Sequence, residues 1–219
     1  MNNTLSTAYF ILIIAHLFFG CGGAAKEENE NNALASSQSS GHVVGEKYSI
    51  DTKESVITWK GSMVFDIEEE HIGYVYISKG QLMIEKGQLV GGTAEIDMNT
   101  IEYGDQANKN TPIKHLKSPD YFDVEKFPIS TIEITKVASV RDNIIKVAGK
   151  LTIKGVTNEV TFPAKIEVED GIIKATGKLV IDRTKWGIRY RSGKFYDNLA
   201  DQAVSDNVEL LMKIIAKNK

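Results

Sequence analysis

The sequence predicts an all-β domain of about eight antiparallel strands, an up-and-down barrel or a sandwich, with one short helical insertion. Three observations carry that expectation. Apolar and polar residues alternate with a period of two in one segment after another, as a strand with one buried face requires. Turn signals such as Lys86-Gly87, Arg141-Asp142-Asn143 and Asp170-Gly171 separate those segments at short intervals. No long amphipathic helical stretch interrupts them.

The stretch from Lys146 to Ala164 sets the pattern. Val147, Gly149, Leu151 and Ile153 share one face, and Lys146, Ala148, Lys150, Thr152 and Lys154 share the other. Beyond Gly155, Val160, Phe162, Ala164, Ile166 and Val168 alternate with Thr161, Lys165, Glu167 and Glu169. The two halves read as a hairpin turned through Gly155-Val156-Thr157-Asn158-Glu159, with one wet and one apolar face.

Upstream, Ile57 and Trp59 alternate with Thr58 and Lys60 in a first strand. A short apolar run from Met63 to Ile67, with Phe65 at its centre, leads to Glu68-Glu69-Glu70, read as a solvated turn. Tyr74 to Ile77 is apolar on both faces, Lys79-Gly80 reads as a turn, and Leu82 and Ile84 resume the alternation. Leu89 opens the next strand, which carries Ala94, Ile96 and Met98. Further strands carry Ile132 and Ile134, then Ile173, Ala175, Gly177, Leu179 and Ile181, and finally Val208, Leu210, Met212 and Ile214.

Thr100 to Pro128 breaks the alternation. Thr111-Pro112 is a helix-start signal, with Ile113, Leu116 and Lys117 giving one or two turns. Ser118-Pro119-Asp120 is a second start signal, leading into Tyr121-Phe122, and Phe127-Pro128 returns the chain to extended geometry. Such an insertion could cap a barrel mouth. Gly149, Gly177, Ala94, Ala164 and Ala175 take little volume on the inward stripes. They either leave room for a ligand or let the barrel pinch shut.

The 219 residues suffice for one good-sized domain, and the composition, 42% hydrophobic and 25% charged, is that of a globular protein. A net charge of -3 offers no concentrated basic face for nucleic acid. Tyr9 to Phe19 is an apolar run too short for a standard membrane span and suited to the core of a secretory signal. Gly20-Cys21 follows at once, and Cys21 is the one cysteine. A small residue before a cysteine at that place resembles a bacterial lipobox. Residues 1–20 then form a signal peptide, and Cys21 is lipidated and ties the chain to a membrane. The competing reading is an ordinary signal peptide with an incidental cysteine. Gly22 to Gly45 is rich in Asn, Ser, Gly, Ala and Glu, so residues 21–46 read as a flexible linker and residues 47–219 as the folded domain.

The sequence offers little for catalysis. It contains no G-x-S-x-G, no H-E-x-x-H and no phosphate-binding glycine loop. His71 and His115 are the two histidines of the domain, and two lone histidines do not make a metal site. His115 is better suited to pinning the insertion by hydrogen bonding. Arg183-Thr184-Lys185-Trp186-Gly187-Ile188-Arg189-Tyr190 places three cations and two aromatics in one short stretch. It could meet an anionic or quinone-like head group at a barrel mouth. Alternatively Arg183 pairs with Asp182 or Asp120, and Trp186 plugs the barrel end. Trp59 and Phe65 read as core first and ligand wall second.

Four stretches, Y-S-I-D-T-K-E-S-V-I-T-W, H-L-K-S-P-D-Y-F-D-V-E-K-F-P, G-K-L-T-I-K-G-V-T and I-D-R-T-K-W-G-I-R-Y, occur in that order and are followed by N-V-E-L-L-M-K. In these motifs the sequence resembles the YceI-like family of secreted lipid-binding proteins. In the family a histidine closely follows the first strand; here His71 comes later. The resemblance implies a lipocalin-like eight-stranded antiparallel β-barrel with an apolar internal tunnel. It implies binding of an extended polyisoprenoid or similar lipid without chemistry, in a periplasmic or secreted protein. With the lipobox-like Gly20-Cys21, the expectation is an exported bacterial lipoprotein of the cell envelope, periplasmic or at the outer membrane, the anchor being a variation on the family. No resident cofactor is expected; an isoprenoid lipid or quinone is the expected guest. The candidate ligand contacts are Trp59, Phe65, Ile96, Phe122, Ile134, Val147, Leu151, Phe162, Leu179, Arg183, Trp186 and Tyr190. The alternative function is that of a structural or partner-binding envelope lipoprotein with a sealed core.

Overall fold

A computed structural model describes residues 45–65, 70–104 and 113–218. The expected signal peptide, Cys21 and nearly all of the linker lie outside the described residues, as do residues 66–69, which were read as the end of the apolar run and the start of the acidic turn. Nine strands are present among the described residues: β1 (Glu46–Ile50), β2 (Val56–Ser62), β3 (Glu70–Glu85), β4 (Gln88–Tyr103), β5 (Ile129–Arg141), β6 (Ile144–Ile153), β7 (Val156–Glu169), β8 (Ile172–Asp182) and β9 (Asn207–Asn218). Glu46, assigned to the linker from sequence, is already the first residue of β1.

Every pairing is antiparallel, and β3 pairs with β4 while β4 through β9 follow in chain order. The ring closes through β1 and β2, which share one position between β3 and β9. β1 pairs with Gln81–Ile84 of β3 and Ala216–Asn218 of β9. β2 takes the same two neighbours further along, at Glu70–Val75 and Glu209–Lys213. Nine strands therefore make eight staves, and a closed barrel leaves no free edge. At the break between β1 and β2, the hydroxyl of the buried Ser55 donates to the Ile215 carbonyl (3.2 Å) and accepts from the Ile215 N–H (3.0 Å). A side chain thus continues the hydrogen-bond ladder where the backbone leaves it.

Three hairpins turn on two residues with positive φ: Lys86-Gly87, Lys154-Gly155 and Asp170-Gly171. That geometry matches the strand twist and explains why a glycine ends each pair. The hairpin expected to turn through five residues after Lys154 instead turns on Lys154-Gly155, and Val156 already pairs with Ile153.

Lys79-Gly80, expected to turn the chain, lies inside β3. The register shifts between Ile77 and Lys79, a bulge that inserts one residue against β4. The bulge flips the parity, so Val75 and Ile77 before it and Leu82 and Ile84 after it are all buried. A second irregularity carries β4 past Thr100, where the alternation was expected to end. The Thr100 hydroxyl donates to the Asp97 carbonyl (2.6 Å) and accepts from the Tyr76 N–H (3.0 Å). Pairing then resumes at Glu102 and Tyr103, with Ile101 buried.

Among its described residues the insertion contains one short helix, α1 (Ile113–Lys117); the expected start at Thr111-Pro112 lies outside them. The second expected helix start, at Ser118-Pro119-Asp120, yields turns instead: the Tyr121 and Asp123 N–H groups both donate to the Ser118 carbonyl. The insertion is fastened to the barrel at two places. Lys117 Nζ donates to the Asn99 carbonyl (2.6 Å), and Lys154 Nζ donates to the Pro119 carbonyl (2.6 Å). Phe127 packs on the Lys154-Gly155 turn, where a Cβ on Gly155 would stand 2.7 Å from its ring.

Candidate functional site: an apolar cavity inside the barrel

The inward stripes do not fill the barrel. A cavity of about 280 Å³ occupies the end where β2 finishes and β9 begins, walled by Trp59, Val75, Met98, Leu151, Ile181 and Leu210 among others. A narrower cavity of about 90 Å³ lies towards β1 and is walled by Leu82, Ala94, Ile134, Val147, Phe162, Ala175 and Met212 among others. Ile57 and Ile96 belong to both walls and mark the waist between them. An engineered apolar cavity of ~150 Å³ is enough to bind benzene, so the larger chamber suffices for a small organic group.

The small inward residues have divided effects. Ala94, Ala164, Ala175 and Gly177 all face the narrow cavity and leave it open. At Gly177 part of the vacated space is taken by Met212 and Phe162, whose atoms stand 3.1 and 3.3 Å from where a Cβ would be. Gly149 serves the wall instead: its Cβ would meet the Glu133 carbonyl oxygen at 2.5 Å. Gly73 makes room for Trp59, its cross-strand partner, whose ring carbons occupy the place of a Cβ.

Two segments meet over the wide end. From the insertion, His115, Leu116, Tyr121 and Phe122 line the cavity, and from the segment after β8 come Arg183, Ile188, Tyr190 and Arg191. His115, Tyr121 and Tyr190 form an aromatic triad with ring centroids 4.6 to 5.3 Å apart, which joins the two segments. Burial pushes the Tyr121 phenol up to about 12, so it stays neutral. His115 also bonds Asp120 through Nε2 at 3.1 Å, the pinning role expected of it. It keeps 28% of its side-chain surface exposed while lining the cavity, so the cavity reaches the surface beside it.

Arg183 is 3% exposed and is fully engaged by the protein. Nε donates to the Ser205 carbonyl (2.9 Å), Nη1 to Ile188 (3.0 Å) and Nη2 to Val204 (3.1 Å). Its carboxylate partner is Asp206, 3.3 Å from Nη2, rather than the Asp182 or Asp120 expected from sequence. Asp182 instead caps the short 3-10 helix Arg183–Trp186, accepting from the Thr184 N–H and hydroxyl, and pairs with Lys194 at 2.7 Å. Arg183 therefore ties the segment after β8 to the chain that leads through Val204 and Ser205 into β9. It has few donors left for a phosphate.

Of the candidate contacts, Trp59, Ile96, Phe122, Leu151, Arg183 and Tyr190 line the wide cavity, and Ile96, Ile134, Val147 and Phe162 line the narrow one. Leu179, Trp186 and Phe65 line neither. Leu179 is core, paired with Leu210 across the sheet. Trp186 is 2% exposed, with its indole N–H donating to the Leu151 carbonyl at 3.1 Å. Phe65 is 71% exposed, because the chain leaves β2 after the Met63–Val204 bridge and turns off the sheet.

The sequence reading missed several wall residues: His71, Ile101, Tyr103, Tyr121 and Ser130. Ile101 and Tyr103 were hidden by the irregularity at Thr100. Ser130 was in view, since it continues the inward parity of Ile132 and Ile134. Three buried polar atoms on this wall have no hydrogen-bond partner among the described residues: Trp59 Nε1, His71 Nδ1 and Ser130 Oγ. No group of three or more metal-type ligands occurs among the described residues.

Fold and site together define a class: closed, lipocalin-like antiparallel barrels that enclose an apolar chamber. Comparison with known proteins places the chain within it. Residues 48–216 match the YceI-like domain, and the chain belongs to the YceI-like family. A UPF0312 protein of Pseudomonas putida is 29% identical over 140 residues, covering 60% of this chain and 67% of its own length. The crystal structure of Burkholderia cenocepacia BcnA superposes with a TM-score of 0.61 at 21% identity, covering 77% of this chain and 99% of BcnA. A polyisoprenoid binding domain from Saccharophagus degradans, implicated in plant cell wall breakdown, superposes at 0.57 with 13% identity, covering 78% and 98%. These likenesses bear out the barrel fold.

Proposed function

We propose that this barrel binds an apolar, isoprenoid-like lipid in its interior and sequesters or carries it without chemical change. The carrying observation is the chamber itself: about 280 Å³ at the wide end inside mostly apolar walls, continued by about 90 Å³ beyond the waist inside apolar ones. Each methylene moved from water into such a space contributes ~0.8 kcal/mol, so a long tail binds tightly without specific polar contacts. Membership of the YceI-like family supports the reading, as does likeness to a domain described as polyisoprenoid binding. The alternative of a sealed core with its function on the surface sits poorly with an interior that is open.

In this reading Cys21 carries a lipid that holds the protein at an envelope membrane, and the insertion with its aromatic triad gates access to the chamber. The wall residues position and enclose the guest, and none of them forms a nucleophile–base pair. The test is native mass spectrometry of protein purified without detergent, paired with displacement of a polarity-sensitive fluorophore by isoprenoids. The expected result is a co-purifying lipid or competitive displacement. A barrel that carries no lipid, and from which no isoprenoid displaces the fluorophore, rules the reading out. Mass analysis of the mature N-terminus checks the anchor separately.

A further inference from the structure

The apolar side chains that face water are unevenly placed on this barrel. Eight large ones are exposed among the described residues, and Val140, beside the turn that joins β5 to β6, is the one at the narrow end. The three aromatics among them are Phe65, Phe195 and Tyr196, 71%, 45% and 51% exposed. All three belong to the two segments that border the wide mouth, where Met63, Arg191 and Val204 line the cavity.

Hydrogen bonds hold these aromatics in place. The Phe195 and Tyr196 N–H groups both donate to the carbonyl of the fully buried Ser192 (3.0 and 3.1 Å). The Arg189 guanidinium lies over the Phe195 ring at 4.5 Å. Val204 joins this segment to the one that carries Phe65: its N–H donates to the Arg191 carbonyl (2.9 Å), and it bridges Met63. The Val64 N–H adds a bond to the Ala203 carbonyl (2.8 Å). Exposed apolar groups gathered in this way, with a polar surround, mark an interaction surface.

The chemistry of the rim and the reach of the chain choose the partner. Lys185, Arg189 and Arg191 stand against Asp197 and Asp201, while Lys194 is taken by Asp182 and Asp206. Glu68-Glu69-Glu70 follows Phe65 in the sequence. So mixed a rim offers no single sign of charge to an acidic or basic protein surface. Aromatic rings with arginine alongside suit a bilayer interface, where the ring enters the acyl boundary and the guanidinium stays at the phosphates. The proposed guest points the same way, because every methylene resists passage through water, so mouth and membrane must meet for it to cross. Chain length allows this. β1 starts with Glu46, paired with Ile84 at the narrow end. Residues 22–45 span at most ~80 Å, and the 16 residues of β3 only ~50 Å. An anchor at Cys21 therefore leaves the opposite end free to reach the same bilayer.

We propose that the wide mouth docks on a lipid bilayer through Phe65, Phe195 and Tyr196, with Arg189 at the head groups. Apolar contact carries the docking, so it needs no anionic lipid. This rests on the lipid-binding reading and adds to it the surface at which the guest changes hands.

The experiment places the whole chain on phosphatidylcholine vesicles, with and without brominated acyl chains. Phe195→Trp puts a reporter at the mouth and Val140→Trp puts one at the far end, both at exposed positions. The unsubstituted chain supplies the background from Trp59 and Trp186. On vesicles the emission added by Phe195→Trp is expected to shift to the blue and to be quenched by the brominated chains, and that added by Val140→Trp to do neither. Raised salt is expected to leave the quenching intact. Phe65→Ser, added to Phe195→Trp, is expected to weaken docking by about tenfold, the worth of one buried phenyl group, and so to remove most of the quenching. Unquenched, red emission from Phe195→Trp on vesicles leaves the face to a soluble partner and overturns the proposal. A blue shift that grows with protein concentration in the absence of vesicles gives the face to a second copy of the chain and overturns it too, as does equal quenching of Val140→Trp. Each of these outcomes leaves guest binding standing. Quenching of Phe195→Trp in a protein from which no isoprenoid displaces the fluorophore upholds the docking and removes the lipid-binding reading alone.

Discussion

The indole of Trp59 lies over Gly73, its partner on the neighbouring strand, in the space that a side chain at position 73 would need. Tyr103 meets the same indole edge-on at 5.2 Å, so one glycine sets the position of an aromatic pair on the chamber wall. A Cβ at Gly73 would collide with the ring and with the Glu102 carbonyl oxygen, and neither the backbone nor the packed ring can yield cheaply. Gly73→Ala is expected to destabilise the barrel by about 1–3 kcal/mol and to shift the tryptophan emission. Gly61→Ala, where nothing lies within 4 Å of the added carbon, is expected to do neither. Urea unfolding followed by fluorescence compares the two.

The narrow cavity gives a second expectation. Ala175 faces it on the same strand as Gly177. Ala175→Leu would fill much of that space, with an overpacking cost of about 1–3 kcal/mol. Affinity is expected to fall for long-tailed isoprenoids and to hold for short ones that end at the waist. Fluorophore displacement by a series of increasing tail length measures this. A uniform loss across the series would place the tail elsewhere.

Arg183 separates a structural cation from a ligand-binding one. Arg183→Met would leave the Ser205, Ile188 and Val204 carbonyls and the Asp206 carboxylate without their shared partner. Breaking a buried ion pair from one side costs about 3–5 kcal/mol, and a loss of that order is expected in chemical denaturation. Arg183→Lys should recover little, because an ammonium cannot reach three divergent carbonyls as a guanidinium does.

The acid limb of stability has an identifiable contributor. Burial pushes the Asp182 carboxyl up, but hydrogen bonds from Lys194 and Thr184 outweigh it and hold the group down at about 2, against an ordinary 3.8. A depressed carboxyl stabilises the fold above its unfolded value, and that contribution fades as pH falls from about 4 towards 2. Lys194→Met lets the Asp182 value rise and is expected to shrink the drop in unfolding free energy across that window. Asp51, held down chiefly by its hydrogen bond from Lys217, titrates in the same direction, so Lys217→Met is the parallel variant. Urea midpoints between pH 2 and 6 read both effects.

Much of the barrel was legible because its signals are local. Period-two alternation in Lys146–Ile153 and the Asp170-Gly171 turn need no tertiary knowledge, and both reappear as expected. Lys79-Gly80 misled because it has the composition of a hairpin turn. What makes it a bulge is β4 lying alongside, which no local window contains. Thr100 likewise ended the alternation on paper while its hydroxyl patched the ladder in space. The site was half legible. Inward parity found Trp59, Ile96 and Leu151, whereas Asp206 as the partner of Arg183 depends on how the chain returns after the segment following β8. Phe65 shows the converse: a large apolar residue in an apolar run, yet one that the chain carries off the sheet.

The hydroxyl of Ser55 gives the hoop two separate clasps. With Ile215 held there, β9 stays tied to β3 through β2 even when β1 has let go of both. Force arriving through the residues ahead of Tyr48 therefore strips a five-residue strand before it reaches the ring that encloses the wide chamber. The narrow chamber, whose wall includes Ile50, is the one that such a pull would unseal.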